Sequence, residues 1–170
     1  MGWAWLILVL ATYPWLLGAD LASDTLASSS LVFFVTGTCL IAPCRRLRRW
    51  QAVLFAASLG FLFEARRPIP DGIVAFALVA VAIFLSSNRQ HLRTTPGMLR
   101  AAAAINIIAC LVWFVSAAYA APVAGADLAW QLILQLIVAG VVGTIGLIPI
   151  ALTQNAAMDR FGVPPAPETP

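Results

Sequence analysis

The sequence predicts an all-α polytopic membrane bundle of six transmembrane helices, with both termini on the cytoplasmic side. Three observations carry that reading. The chain of 170 residues is 62% hydrophobic and 10% charged, with a mean hydropathy of +0.94, whereas a water-soluble domain is about half apolar and about a quarter charged. Its apolar residues fall into continuous runs separated by short polar or proline-bearing breaks, without the alternation over ~10-residue segments that a transmembrane barrel needs. Between the second and third runs stands Pro43-Cys44-Arg45-Arg46-Leu47-Arg48-Arg49-Trp50, whose clustered guanidinium groups stay on the side of the membrane where the chain is made.

The first run, Gly2 to Leu17, opens without a basic residue and carries Trp3, Trp5, Pro14 and Trp15. It reads as a span with aromatic anchors. A cleaved signal peptide, for which Gly18-Ala19 would serve as the cutting site, calls for a positive start that is missing here. Asp20 to Ser30 holds two acids and no base and reads as an outer loop. The second run, Leu31 to Ala42, then descends to Pro43 and the arginines.

Gln51 to Phe63 is the weakest span, because thirteen residues at ~1.5 Å each reach only ~20 Å of a hydrocarbon core of ~30 Å. For it to cross, Trp50, Glu64 and the neighbouring arginines must snorkel or the bilayer must thin. If it does not cross, five spans remain. Arginine counting favours six: Arg45, Arg46, Arg48, Arg49, Arg89, Arg93, Arg100 and Arg160 then lie inside, with Arg66 and Arg67 outside. The five-span alternative puts six inside and four outside, a weaker inner bias.

The fourth run, Ile73 to Leu85, follows Pro68-Ile69-Pro70-Asp71-Gly72, a turn whose prolines and acid suit a helix start. A basic loop, Ser86 to Gly97, leads to the fifth span, Ala101 to Ala121, and a short turn, Pro122 to Asp127, leads to the sixth, Leu128 to Leu152. Pro149 is expected to bend its last turns. Residues 1–158 thus form a single transmembrane domain, and residues 159–170, rich in proline, read as a disordered cytoplasmic tail. The two halves show no inverted repeat of the kind many transporters carry.

Net charge is +3, from ten arginines and no lysine against seven acids. In a membrane chain this speaks for cytoplasmic retention and for anionic lipid headgroups as partners, with Arg45, Arg46, Arg48 and Arg49 as candidate contacts, and gives no reason to expect nucleic acid. No cofactor, metal or catalytic set is indicated. Cys39, Cys44 and Cys110 form no CxxC pair, His91 is the sole histidine, and no Ser-His-Asp set or paired acids occur. Cys44 beside the arginines is either an activated thiolate or, as a cysteine at a helix end next to proline more often is, an inert thiol.

No ionisable residue is expected near the membrane midplane, which disfavours proton-driven antiport. Glu64, Arg66, Arg67 and Asp71 read as headgroup-level anchors, with an outer vestibule as the alternative. The candidate interior sites are uncharged. Gln131 and Gln135 share a face of the sixth span, level with Thr36 and Thr38. Asn106 and Cys110 lie nearer the cytoplasm, level with Thr144 and Ser58, about two turns below that first shelf. Such groups act first as helix glue, each contact contributing ~0.6 to 2 kcal/mol, and otherwise as a thin polar route.

Ala139, Gly140 and Gly143 give small-xxx-small spacing that lets another helix approach closely, from the same chain, a second copy or a membrane partner. Three functional classes follow. The first is a non-catalytic carrier or channel-like protein of a bacterial inner membrane for a neutral or lipophilic solute. The others are an accessory subunit of a larger membrane complex and a lipid-modifying enzyme at the cytoplasmic surface.

Overall fold

Each apolar run contains a helix, and the second run begins with five irregular residues before its helix starts. The structure, a computed structural model, describes residues 3–26, 31–65, 72–120 and 126–163. Its helices are α1 (Ala4–Thr25), α2 (Thr36–Arg46), α3 (Arg49–Glu64), α4 (Ile73–Ser87), α5 (Thr95–Ala120), α6 (Ala126–Ile145) and α7 (Leu147–Arg160), with a 3-10 turn at Arg89–Leu92. No strand occurs among the described residues.

The first helix continues through Pro14 to Thr25, so Asp20 and Asp24, expected in a loop, are helical. A lone Gly18 does not break a helix, and no stronger breaker stands before Ser28. The second helix starts at Thr36 instead of Leu31, and residues 31–35 are irregular backbone. Leu31-Val32-Phe33-Phe34-Val35 is a β-branched and aromatic stretch with weak helix preference.

The sixth run is two helices with a 45° bend between them. Pro149 has no N–H, so the carbonyl of Ile145, four residues earlier, loses its partner and α6 stops there. Pro149 itself sits in the first turn of α7, where its missing N–H costs least. Asp159 and Arg160 close α7 and Val163 is buried; the rest of the expected tail lies outside the described residues, as do Arg66, Arg67 and Asp71.

By length and composition α1 and α5 are able to cross a membrane, and the bent α6–α7 pair makes a third crossing if taken as one span. Helix length alone therefore assigns two or three crossings, fewer than the six runs. The distribution of polarity reinforces the membrane reading. Leu10, Phe61, Phe76, Val115, Ile145 and Ile148 are exposed while Thr12, Thr38, Asn106, Gln135 and Gln154 are buried, the reverse of a water-soluble helical protein.

Helix α3 returns as α4 in a tight hairpin. A Cβ on Gly60 would stand 2.3 Å from the Cα of Ala75, so only glycine permits this approach. Glu64 fastens the same hairpin. Its Oε2 accepts the Gly72 N–H at 2.8 Å, and its Oε1 accepts those of Val74 at 2.5 Å and Ala75 at 3.2 Å. The carboxylate thus meets the positive end of α4, where first-turn amides have no intrahelical acceptor. Glu64 is 2% exposed; it is a buried cap where an exposed headgroup anchor was expected.

The arginine-bearing segments meet at one end of the bundle. Arg46 bridges to Asp159 at 2.6 Å and donates to Asn155 Oδ1 at 3.3 Å, tying the end of α2 to that of α7. Arg89 donates to the Leu47 carbonyl, and Arg45 reaches Met98 Sδ at 3.6 Å. Arg45, Arg48 and Arg49 are exposed. The last two sit at the positive end of α3, where no acid offsets them, so this end attracts anions.

Candidate functional site

The polar interior is built around Asn106 on α5, which is fully buried. Its Oδ1 accepts the Gly37 N–H at 2.6 Å, and its Nδ2 donates to Thr38 Oγ1 at 3.3 Å and to the Ala139 carbonyl at 3.5 Å. Thr38 Oγ1 in turn donates to the Gly143 carbonyl at 3.3 Å. One amide therefore joins α2, α5 and α6. Glycines make room for it: a Cβ on Gly37 would lie 2.6 Å from Asn106 Oδ1, and one on Gly143 would lie 2.8 Å from Nδ2.

This arrangement merges the two shelves expected from the sequence. Asn106 meets Thr38 and Ala139, and Ala139 is one helical turn from Gln135, so no apolar gap of two turns separates them. The close approach allowed by Ala139 and Gly143 is made with α5 of the same chain, since a Gly143 Cβ would also stand 3.2 Å from Ala103 Cα. Gly140 is looser, its nearest neighbour being Ile107 Cδ1 at 3.7 Å.

Gln135 holds the irregular segment before α2. Its Oε1 accepts the Val32 N–H at 3.1 Å and its Nε2 donates to the Val32 carbonyl, so the side-chain amide substitutes for a neighbouring strand. Ser23 Oγ accepts the Phe33 N–H at 2.9 Å while donating to the Ala19 carbonyl at 2.7 Å. Non-helical backbone is tolerated inside a membrane bundle only when its polar groups are satisfied in this way. Phe34 is buried between the rings of Phe63, at 5.5 Å, and Trp113, at 5.8 Å and edge-on.

The remaining sequence candidates divide. Gln131 is exposed and stands apart from this interior. Thr144 turns back on its own helix, to the Gly140 and Val141 carbonyls, and Ser58 does the same to Leu54. Thr36 is fully buried, and its hydroxyl has no partner among the described residues. Of the four arginines, Arg46 is spent on Asp159, and Arg45, Arg48 and Arg49 are exposed.

Gln154 is the interior group that sequence reasoning missed. Its Nε2 donates to Thr12 Oγ1 and to the Cys39 carbonyl, both at 2.9 Å, joining α7, α1 and α2. The Cys39 carbonyl is available because Pro43, four residues on, has no N–H to give it. That vacancy was readable from the sequence, although the identity of the donor was not.

Cys39, Cys44 and Cys110 are all free and buried. Cys44 packs with its sulfur 4.0 Å from the Ala82 carbonyl. Among the described residues no group of three or more His, Cys, Asp and Glu side chains is placed to hold a metal ion. The interior offers neutral amides and hydroxyls, which bind by hydrogen bonding without changing charge.

Comparison with protein-family models, curated proteins and solved structures finds no match. Function is therefore read from the geometry alone.

Proposed function

We propose that this chain is a six-crossing, non-catalytic carrier- or channel-like protein of a bacterial inner membrane, serving neutral or lipophilic small solutes. The observation supporting this is the interrupted second crossing. Five non-helical residues, 31–35, precede the eleven of α2, which alone reach only ~17 Å of a core of ~30 Å, so this crossing combines helix with irregular backbone. Interrupted helices form substrate sites in many transporters, and here Gln135 and Ser23 hold the irregular backbone that precedes α2. The uncharged polar cluster around Asn106 fits a neutral cargo.

In this reading the arginine end faces the cytoplasm, both termini with it, and Arg45, Arg48 and Arg49 hold anionic headgroups. Proteoliposomes loaded with a panel of neutral solutes test the proposal. Protein-dependent efflux is expected for at least one solute, falling several-fold in Gln135→Leu, which releases Val32. Fluxes equal to those of protein-free vesicles across the panel would refute it.

A second reading, an accessory subunit of a membrane complex, is favoured by the use of Asn106, Gln135 and Gln154 as ties between helices. Purification in mild detergent separates the two. A stoichiometric membrane partner supports the subunit, and a lone chain or homo-oligomer removes it.

A further inference from the structure

The corner between α2 and α3 carries three guanidinium groups on a fixed backbone. Leu47, which separates them, is buried; its N–H donates to the Pro43 carbonyl at 2.8 Å and its carbonyl accepts from Arg89. Arg45 on one side of it and Arg48 and Arg49 on the other are exposed. Asp159 is already bridged to Arg46, and among the described residues no acid pairs with the other three.

An exposed apolar stripe continues from this corner along α3. At ~100° per residue, Trp50, Leu54 and Phe61 fall within ~40° of one another and span ~17 Å of the helix axis. All three are exposed, whereas Phe55 and Leu59 on the other side of the helix are buried. Positive charge at one end and apolar length below it match the profile of a single phospholipid. A soluble anion would use the arginines and leave the stripe idle. A second copy packed in parallel along the same stripe would set Arg48 and Arg49 against their own counterparts, like charge on like.

We infer that this corner seats one phospholipid with a net negative headgroup. Arg45, Arg48 and Arg49 hold the phosphodiester, Trp50 lies at the ester level, and Leu54 and Phe61 pack against an acyl chain. The inference deepens the headgroup contact of the proposed function into one defined seat. It rests on that reading's placement of the arginine end at a membrane surface and is independent of transport.

The test uses the full chain in phosphatidylcholine nanodiscs, with a small fraction of the lipid replaced by phosphatidylglycerol brominated near the carbonyl end of its acyl chains, since bromine quenches tryptophan fluorescence. Brominated phosphatidylcholine, whose choline cancels the phosphate charge, is the control. Quenching is expected to saturate at low mole fraction with the glycerol headgroup and to rise in simple proportion with the choline one. Trp50→Phe is expected to remove the saturable part. Arg48→Gln combined with Arg49→Gln is expected to raise the half-saturating fraction ~10- to 30-fold. Arg100→Gln combined with Arg160→Gln takes the same charge from exposed positions elsewhere at that end and is expected to leave the half-saturating fraction unchanged.

Equal quenching by the two lipids, or equal weakening by the two arginine pairs, would overturn the inference and leave only diffuse attraction to an anionic surface. Displacement of the brominated lipid by inorganic phosphate would overturn it in favour of a soluble anion, and protection of Trp50 from both lipids in favour of another chain on the stripe. The comparison of headgroups on the parent protein needs no variant, so it stands even where an arginine pair fails to fold. Headgroup-selective quenching without any solute flux would keep the seat and remove the carrier reading; flux with equal quenching by both lipids would do the reverse.

Discussion

Asn106 Oδ1 and the main-chain nitrogen of Gly37 lie 2.6 Å apart, at a point where any Cβ on residue 37 would meet both Oδ1 and the Asn106 main-chain nitrogen at 2.6 Å. The two residues specify each other: the amide needs the glycine's space, and the glycine's N–H needs the amide. Gly37→Ala is expected to destabilise the bundle by ~1 to 3 kcal/mol through overpacking, and Asn106→Leu by ~2 kcal/mol through loss of its interhelical bonds. Gly140→Ala, whose Cβ would find only ordinary contact at 3.7 Å, is expected to stay within ~0.5 kcal/mol of the parent. Reversible unfolding in mixed micelles measures all three.

Pro43 and Gln154 are coupled through the Cys39 carbonyl, which the proline leaves unbonded and the glutamine fills at 2.9 Å. Gln154→Leu is expected to cost ~1 to 3 kcal/mol because it orphans a buried carbonyl. In a Pro43→Ala background the restored N–H can bond that carbonyl within α2, so the same substitution is expected to cost ~1 kcal/mol less. A double-mutant cycle reads the difference, and a coupling of zero would show that the carbonyl does not link them.

Glu64 holds the start of α4 with three main-chain bonds. Glu64→Ala is expected to cost ~2 to 3 kcal/mol, the scale of a lost charged cap. Glu64→Gln retains an acceptor oxygen and is expected to cost less. Amide hydrogen exchange at Gly72, Val74 and Ala75 is the direct readout, accelerating in the alanine variant and less in the glutamine one. Equal exchange in all three proteins would separate the contact from the stability of α4.

The helical runs, the proline bend and the polar residues Asn106 and Gln135 were legible in the sequence, because apolar continuity, a missing N–H and an amide in an apolar helix are local signals. What those amides touch was not legible. Asn106 lies 69 positions from Gly37, and Gln135 lies 103 from Val32, so helix rotation and relative height decide the pairing. Depth counted from span ends failed at α2, because the first five residues of that run are not helical and do not follow the ~1.5 Å rise the count used. Glu64 was misplaced for a related reason: its partners come from the helix start beyond the turn, and only the close packing of Gly60 on Ala75 brings that start within reach.

The six-crossing topology makes an expectation that helix length cannot make, and the native cysteines make it measurable. Cys39, Cys44 and Cys110 are buried, so a maleimide is expected to leave the folded parent chain unlabelled and to serve as its own background. Arg100 is exposed at the end of the bundle where Arg46 meets Asp159, whereas Arg67 follows the C-terminal end of α3, which the six-span arrangement puts outside. A membrane-impermeant maleimide applied to intact cells is expected to label Arg67→Cys and not Arg100→Cys, with both labelled after the membrane is opened. Were α3 alone to stay at the inner face without crossing, Arg67 would share the inner side with Arg45, Arg46, Arg48 and Arg49, and the fourth run would carry Arg100 outside. The labelling pattern would then invert, and with it the arginine bias that favours the six-span arrangement.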